Sequence, residues 1–449
     1  MRSCRAFPSR PLMMRLALAL SLLGASLAQP ARALSLLRDP DIEYALLQLA
    51  QPILQQAGLN ANRMNVLVID DRTLNAFVVD RDTIFIHSGL LLKMETPQML
   101  QSVIAHEAAH IANGHLVRRP QNMRNARTAA GLGLALAAAA GAVSGNAQAA
   151  AGIALGAQGT AKRLFFAHTQ AEESSADSAG VAYMMRAGRD PSGAVAVMDI
   201  FRGQEALSAA RQDPYARTHP LSADRIRVLQ RQTAAYAGKL PPGNADLYWF
   251  ARAKGKLSAF SRGPKWTLTR AGESGFADVG HMRSAVAWHR QSNLNRALAE
   301  MDHAIALRPD DAFYHELRGQ ILMESRQFDA ATAAYARAVN AAPDHALVLG
   351  SYGRALVAQG QYVKALDVLQ KARARDGRDA RVMRDLAVAY AKTGQGGMAS
   401  LVTAERYAMI GRLEDAEIQA RRALGLLPNG SGGWQRAQDV LSAAKAAQK

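Results

Sequence analysis

The chain has 449 residues, 49% of them hydrophobic, and a formal net charge of +17. That length allows two or three domains with sizeable cores, and a single cysteine, Cys4, excludes a disulfide-stapled scaffold. The basic excess is spread along the chain without interleaved aromatic residues, which argues against a nucleic-acid site and fits at most weak peripheral attraction to an anionic membrane.

Arg2, Arg5, Arg10 and Arg15 precede an apolar run, Leu16 to Leu27, which is followed by Ala31-Arg32-Ala33. This is the order of a secretory signal peptide with cleavage after Ala33, and the run is too short to span a bilayer. A cleaved leader implies a periplasmic location. It also removes five arginines, lowering the formal charge from +17 to +12, together with the only cysteine.

Asp41 to Gly58 reads as a helix with Ile42, Leu46, Leu49, Ile53 and Leu54 on one side and a bend at Pro52. The period then shortens. Val66–Ile69, Ala76–Val79 and Thr83–His87 are β-rich runs divided by Asp70-Asp71 and Asp80-Arg81-Asp82. They predict a three-stranded antiparallel sheet, with Thr83–His87 as the open edge that could accept an extended peptide. His87 reads as a packing histidine.

Thr96-Pro97 predicts a helix start and Asn113-Gly114 its stop. Between them stands His106-Glu107-Ala108-Ala109-His110. Histidines four apart share a helix face and can reach one zinc ion, while Glu107 beside them can take a proton from a water held there. His115, five residues beyond His110, predicts a helix-end or supporting role rather than a bond to the same ion. Residues 129–157 are rich in Ala and Gly and read as a hairpin of two small-residue helices.

A third ligand is expected from Glu172-Glu173-Ser174-Ser175-Ala176-Asp177. Glu173 and Asp177 lie one helical turn apart, so Glu173 can bind the ion while Asp177 accepts a hydrogen bond from a ligand histidine; Glu172 is the competing ligand. Ala176, Ala179 and Gly180 allow close helix approach. In Arg217-Thr218-His219-Pro220, His219 sits in a stiff loop before the N-cap Ser222, which by itself reads as structural.

From residue 278 small residues recur every 34: Ala285, Gly319, Gly353 and Ala387, then Ala297, Ala331, Ala365 and Ala399, with Pro309 and Pro343 at turns. This is the tetratricopeptide pattern of stacked helix pairs. The fourth repeat slips by half a period, which predicts that the helix at 398–409 is shared between two repeats. Lys371, Arg373, Arg375, Arg378, Arg381 and Arg384 form a basic cluster, either a solvated loop or a dock for an acidic partner.

His106-Glu107-x-x-His110-x4-His115, Glu173-x-x-Ala176-Asp177 and Thr218-His219-Pro220 together resemble the prenyl-protease/HtpX-type zinc metallopeptidases, and the leader and repeats resemble their secreted bacterial branch. The resemblance implies one Zn2+ per chain held by His106, His110 and Glu173, with Glu107 as catalytic base. It also implies that His219 approaches the metal as a fourth ligand and holds the enzyme latent. The expected architecture is α+β, mostly α: a leader (1–33), a peptidase domain with a small antiparallel sheet (34–240), a connecting region (241–277) and an all-α repeat superhelix (278–449). The expected activity is endoproteolysis of misassembled envelope or outer-membrane proteins, with the repeats recruiting protein substrates or the outer-membrane assembly machinery. The alternative is a periplasmic chaperone or scaffold with a latent metal site.

Overall fold

The computed structural model describes residues 35–116, 169–208 and 211–447. The leader and the Ala/Gly-rich stretch at 129–157 lie outside the described residues. From Ser35 onward the chain forms one compact unit.

The first helix, α1 (Pro40–Gln56), starts where Asp39 Oδ1 accepts hydrogen bonds from the backbone of Asp41 and Ile42, and it carries Pro52 within. Its stripe of Ile42, Leu46, Leu49, Ile53 and Leu54 is fully buried. The sheet departs from the expectation in two ways. It has four strands in the order β1 (Leu36–Leu37), β2 (Asn65–Ile69), β4 (Thr83–His87), β3 (Ala76–Val78), and β2 runs parallel to β4. The sheet is therefore mixed, and β4 is an inner strand rather than the open edge. Every residue of β4 is buried, the pattern of a strand covered on both faces. Run length and turn composition locate strands, but they do not set the lateral order.

The open edge nearest the histidine helix is β3. A hydrogen bond from His87 N to Asn75 O makes that pair a bonded one. With Ala76 opposite Ile86, alternation turns the main-chain groups of Ala76 and Val78 away from β4. After β4 come α2 (Ser88–Lys93) and α3 (Pro97–Ala112), the latter capped by Thr96 Oγ1 on Met99 N. α3 is buried at Pro97 and at every residue from Met99 to His110. A helix covering 169–186, α4, lies across it, followed by α5 (Gly193–Ile200), α6 (Pro214–Thr218) and α7 (Ala223–Thr233).

The stretch after residue 241 is not a free linker. Helix α8 (Asn244–Ser261) packs on α1 and on α10 (Ala277–Arg290), with a short α9 (Pro264–Thr269) between. The repeat pairs follow: α10 with α11 (Leu294–Leu307), α12 (Ala312–Glu324) with α13 (Phe328–Ala341), and α14 (Ala346–Ala358) with α15 (Tyr362–Arg375). Next are α16 (Ala380–Lys392), α17 (Gly396–Met409), α18 (Leu413–Leu426) and α19 (Gly432–Ala447). Helix α17 packs on both α16 and α18, as the half-period slip predicts. Glycine at the repeat position is required by close approach: a Cβ on Gly319 would meet the Tyr335 ring at 2.7 Å.

The repeats are held against the N-terminal half by buried charge. Arg252, fully buried on α8, bonds Asp41 at 2.6 Å and Asp311 at 2.8 Å, and lies 4.1 Å over the Tyr314 ring. Lys256 reaches Asp39 at 3.0 Å. The basic cluster is occupied within the chain: Arg373 pairs with Glu405, Arg375 with Asp344 and Arg384 with Asp385. Arg378 donates to Thr83 Oγ1 at 3.1 Å and Arg381 to the carbonyl oxygen of Arg38 at 3.0 Å, so part of the cluster docks on β4 and the segment before α1. No described helix is long and apolar enough to cross a membrane.

Candidate metal centre

Four buried side chains from three parts of the chain, His106 and His110 on α3, Glu173 on α4 and His219 at the end of α6, bring ligand-type atoms within 4.8 Å of one another. His106 Nε2 lies 3.1 Å from His110 Nε2 and 3.2 Å from His219 Nδ1. Glu173 Oε2 lies 3.2 Å from His106 Nε2 and 3.0 Å from His219 Nδ1, and its Oε1 is 3.4 Å from His110 Nε2. Bonds of about 2.0–2.1 Å to a tetrahedral ion give ligand–ligand edges of about 3.3–3.4 Å. The observed edges cluster at that size, so these residues fit one metal ion. Of the two adjacent acids, Glu173 rather than Glu172 belongs to the group.

Local structure explains the approach. On α4, Gly180 lies against α3 so closely that a Cβ there would come within 3.3 Å of His106 N. His219 terminates α6, donating its backbone N–H to Tyr215 O at 2.8 Å. The Tyr215 ring lies against its imidazole at 4.7 Å and stacks on Phe201 behind.

The supporting bonds fix the rings. His106 Nδ1 faces Asp177 Oδ1 at 3.0 Å, so a proton on Nδ1 leaves the Nε2 lone pair toward the group. His115 is not in the group. The chain reverses at Gly114, whose φ is +68°, and brings His115 Nδ1 to 2.8 Å from His110 Nδ1. His87 is held elsewhere, with Thr73 Oγ1 3.0 Å from its Nδ1.

Sequence reasoning missed Arg225. It grips Asp177 with two bonds of 2.7 and 2.9 Å, donates to Pro220 O at 2.7 Å and lies 3.4 Å from Glu173 Oε2. One guanidinium thus ties the His219 loop to α4. Its signal was a charged residue one turn before Leu229 and two before Thr233, on the buried stripe of α7.

Burial disfavours charge on Glu173, yet the His219 and His106 rings hold its carboxyl well below the usual carboxylate range. Burial likewise works against a charged His106, but hydrogen bonds to Asp177 and Glu173 outweigh it and push that ring up to about 10. The same carboxylates favour a positive charge at Nε2 whether it is a proton or a metal ion. Glu107 is completely buried, and both carboxylate oxygens lack a hydrogen bond among the described residues; His219 Nε2 is 3.4 Å from Oε1. A buried carboxylate without donors is costly, and a proton-transfer role for it supplies a reason to keep it there.

Residues 37–233 match peptidase family M48, and residues 322–382 match the tetratricopeptide repeat. The beta-barrel assembly-enhancing protease of Escherichia coli K12 is 23% identical over 393 residues, covering 85% of this chain and 78% of that protein. A Vibrio cholerae protein provisionally given the same name is 30% identical over 248 residues, half of each chain, so this chain spans only half the length of that relative. Metalloprotease LoiP of E. coli K12 is 28% identical over 178 residues, 40% of this chain and 66% of that one. The metal-sized group of side chains lies inside residues 37–233, so the chain carries a peptidase family M48 segment, followed by tetratricopeptide repeats.

Proposed function

We propose that this chain is a zinc-dependent endopeptidase of the bacterial envelope, with His106, His110 and Glu173 as metal ligands and Glu107 as general base. The spacing of the ligand-type atoms, close to the edges of a zinc tetrahedron, is the observation that carries the reading. Two or three imidazoles and one carboxylate form a nitrogen-and-oxygen donor set that suits zinc. When bound, the ion lowers the pKa of its water toward neutrality and polarises the scissile carbonyl.

The chain's own residues supply the rest. Glu107, with no competing hydrogen bond, takes the proton of the attacking water and hands it to the leaving amine nitrogen. Asp177 keeps His106 in the tautomer that presents Nε2, and Arg225 keeps Asp177 in place. An extended substrate adds to β3 through the outward main-chain groups of Ala76 and Val78, a mode that reads backbone rather than sequence. His219 then acts as a latch: its ring occupies a ligand position and also the Ala76 carbonyl oxygen, 3.3 Å from Nε2.

The leader pattern supports a periplasmic location after cleavage, and similarity to a beta-barrel assembly-enhancing protease supports outer-membrane proteins as the substrate class. Misassembly of those substrates and their recruitment by the repeats are part of the same proposal. The division at residues 240 and 278 is proposed with them. Part of the repeat surface, up to Arg381 at the start of α16, already contacts the N-terminal half, which leaves the last helices, α17 to α19, as the free recruiting region.

The test compares metal content and casein hydrolysis of the wild type, Glu107→Gln and His110→Ala. One zinc per chain in the wild type and in Glu107→Gln, lost in His110→Ala, with hydrolysis only in the wild type, supports the proposal. Metal-free wild-type protein, or a Glu107→Gln variant that still cuts, overturns it. The second reading, a chaperone in which the repeats dominate, draws on the sealed state of the site; it gains if Glu107→Gln fully rescues an envelope defect.

A further inference from the structure

A cleft of about 840 Å3 lies between the first turn of α3, helices α8 and α9, and the turn that leads into α10. It shares no residue with the metal centre. Its volume falls in the range of sites for small ligands and peptide ends.

Arg283 of α10 lines this cleft and is 6% exposed. Its Nη1 donates to the carbonyl oxygens of Arg270 at 2.5 Å and Ala271 at 3.3 Å, while its Nε is buried without any acceptor. The other fully buried arginines, Arg225 and Arg252, each grip carboxylates. Arg283 has no carboxylate partner among the described residues. Its stem is held in place, since a Cβ on Gly255 would come to 3.2 Å from its Cδ. A buried guanidinium with no carboxylate at ion-pair distance is costly to maintain, since the exposed Glu273 acts on it only from further away, and an anionic ligand lowers that cost.

The surroundings repeat the theme. Lys254, half-buried, donates to the Met94 carbonyl oxygen and lies 5.5 Å over the Phe250 ring, and Arg262 stands exposed beside it in the cleft lining. Burial pulls the pKa of both Lys254 and Arg283 down, and the opposing pull of Glu95 on Lys254 and of Glu273 on Arg283 does not offset it. The two acids of the wall, Glu95 and Glu273, are exposed, and Glu273 is 3.8 Å from Arg270. Gln98 Oε1 is buried with no donor. Leu247 and Trp266, 40% and 39% exposed, and the largely buried Phe250 supply apolar surface to the same cleft.

We propose that this cleft binds the carboxyl-terminal end of an unfolded protein chain with an apolar last side chain, its terminal carboxylate paired with Arg283 and Lys254. The apolar side chain takes the surface offered by Leu247, Phe250 and Trp266. Peptide amides satisfy Gln98 Oε1, which a lipid acyl chain would leave stranded against hydrocarbon. Thr96, Pro97 and Gln98 belong to the start of α3, so the occupant touches the helix that bears His106 and His110.

The test uses the full chain carrying Glu107→Gln, so that binding is read without cleavage and independently of the metal reading. The probe is a fluorescein-labelled octapeptide ending in Val-Phe, as free acid and as C-terminal amide, followed by fluorescence anisotropy. The free acid is expected to bind about tenfold or more tightly than the amide. Arg283→Gln and Lys254→Met remove that preference, and Trp266→Ala weakens both peptides alike. Circular dichroism melts check that Arg283→Gln folds; Lys254 and Trp266 are accessible enough that their variants decide the matter if it does not. Equal binding of acid and amide, or no binding, overturns the proposal. So does binding of phosphatidylglycerol vesicles that the peptide cannot displace and that Lys254→Met abolishes, which would assign the cleft to a lipid headgroup.

Discussion

The imidazole of His219 rests against the carbonyl oxygen of Ala76, 3.3 Å from its Nε2, on the open edge of the sheet. On its other side Nδ1 faces Glu173 at 3.0 Å. One ring therefore fills a position at the metal-sized group and the first acceptor that an added strand would use. His219→Ala should raise basal casein hydrolysis about tenfold, the change that follows from about 1.4 kcal/mol of latch free energy. Activity that falls instead would mean that the ring serves turnover rather than latency.

Asp177 supports the site through His106 and is itself gripped by Arg225. Asp177→Asn should lower metal affinity about 10–100-fold, measured by competition with a chromophoric chelator. An unchanged affinity would leave Asp177 only the task of anchoring Arg225.

Arg252 is buried between Asp41 and Asp311, and burial opposes its charge while Asp41 and Asp311 drive its pKa far up. Removing one partner leaves a buried charge uncompensated, so Arg252→Met should cost about 3–5 kcal/mol in urea unfolding. Adding Asp41→Asn should recover part of that loss; strict additivity of the two substitutions would deny their coupling.

Glu316, on α12, is pushed up from 4.5 to about 7 by burial, against the pull of Lys256 and Arg381, with Asp39 raising it further. Ser351 Oγ donates to its Oε1 at 2.9 Å. From about pH 4.5 to 7 the folded chain keeps a proton that the unfolded chain has released, so stability falls as pH rises through that window. Glu316→Gln should flatten the fall and exceed the wild type at high pH by on the order of 2 kcal/mol. Parallel pH–stability curves for the two proteins would show that Glu316 titrates normally.

Much of the site was legible because helical spacing is local. His106 and His110 share a face by virtue of being four apart, Thr96-Pro97 starts their helix, and Glu173 and Asp177 stand one turn apart. The 34-residue recurrence likewise marked the repeats, since Ala285, Gly319 and Gly353 each meet a partner helix at close range. His219 was visible as a constrained histidine, but its nearness to Glu173 spans a sequence separation that no local pattern encodes.

What the amino-acid order determined by itself was therefore periodic or short-range: helix faces, caps, strand runs, the repeat length and two histidines on one helix face. Tertiary structure alone decided that β4 lies inside a mixed sheet, that β3 is the free edge, and that Arg225 ties α7 to α4. It also turned the basic cluster of the third repeat inward, onto Thr83 and the Arg38 carbonyl oxygen. The physical reason is common to these cases. Strand order and long-range ion pairs depend on which buried surfaces and charges find each other once the whole chain has closed, and that competition leaves no trace in the spacing of neighbouring residues.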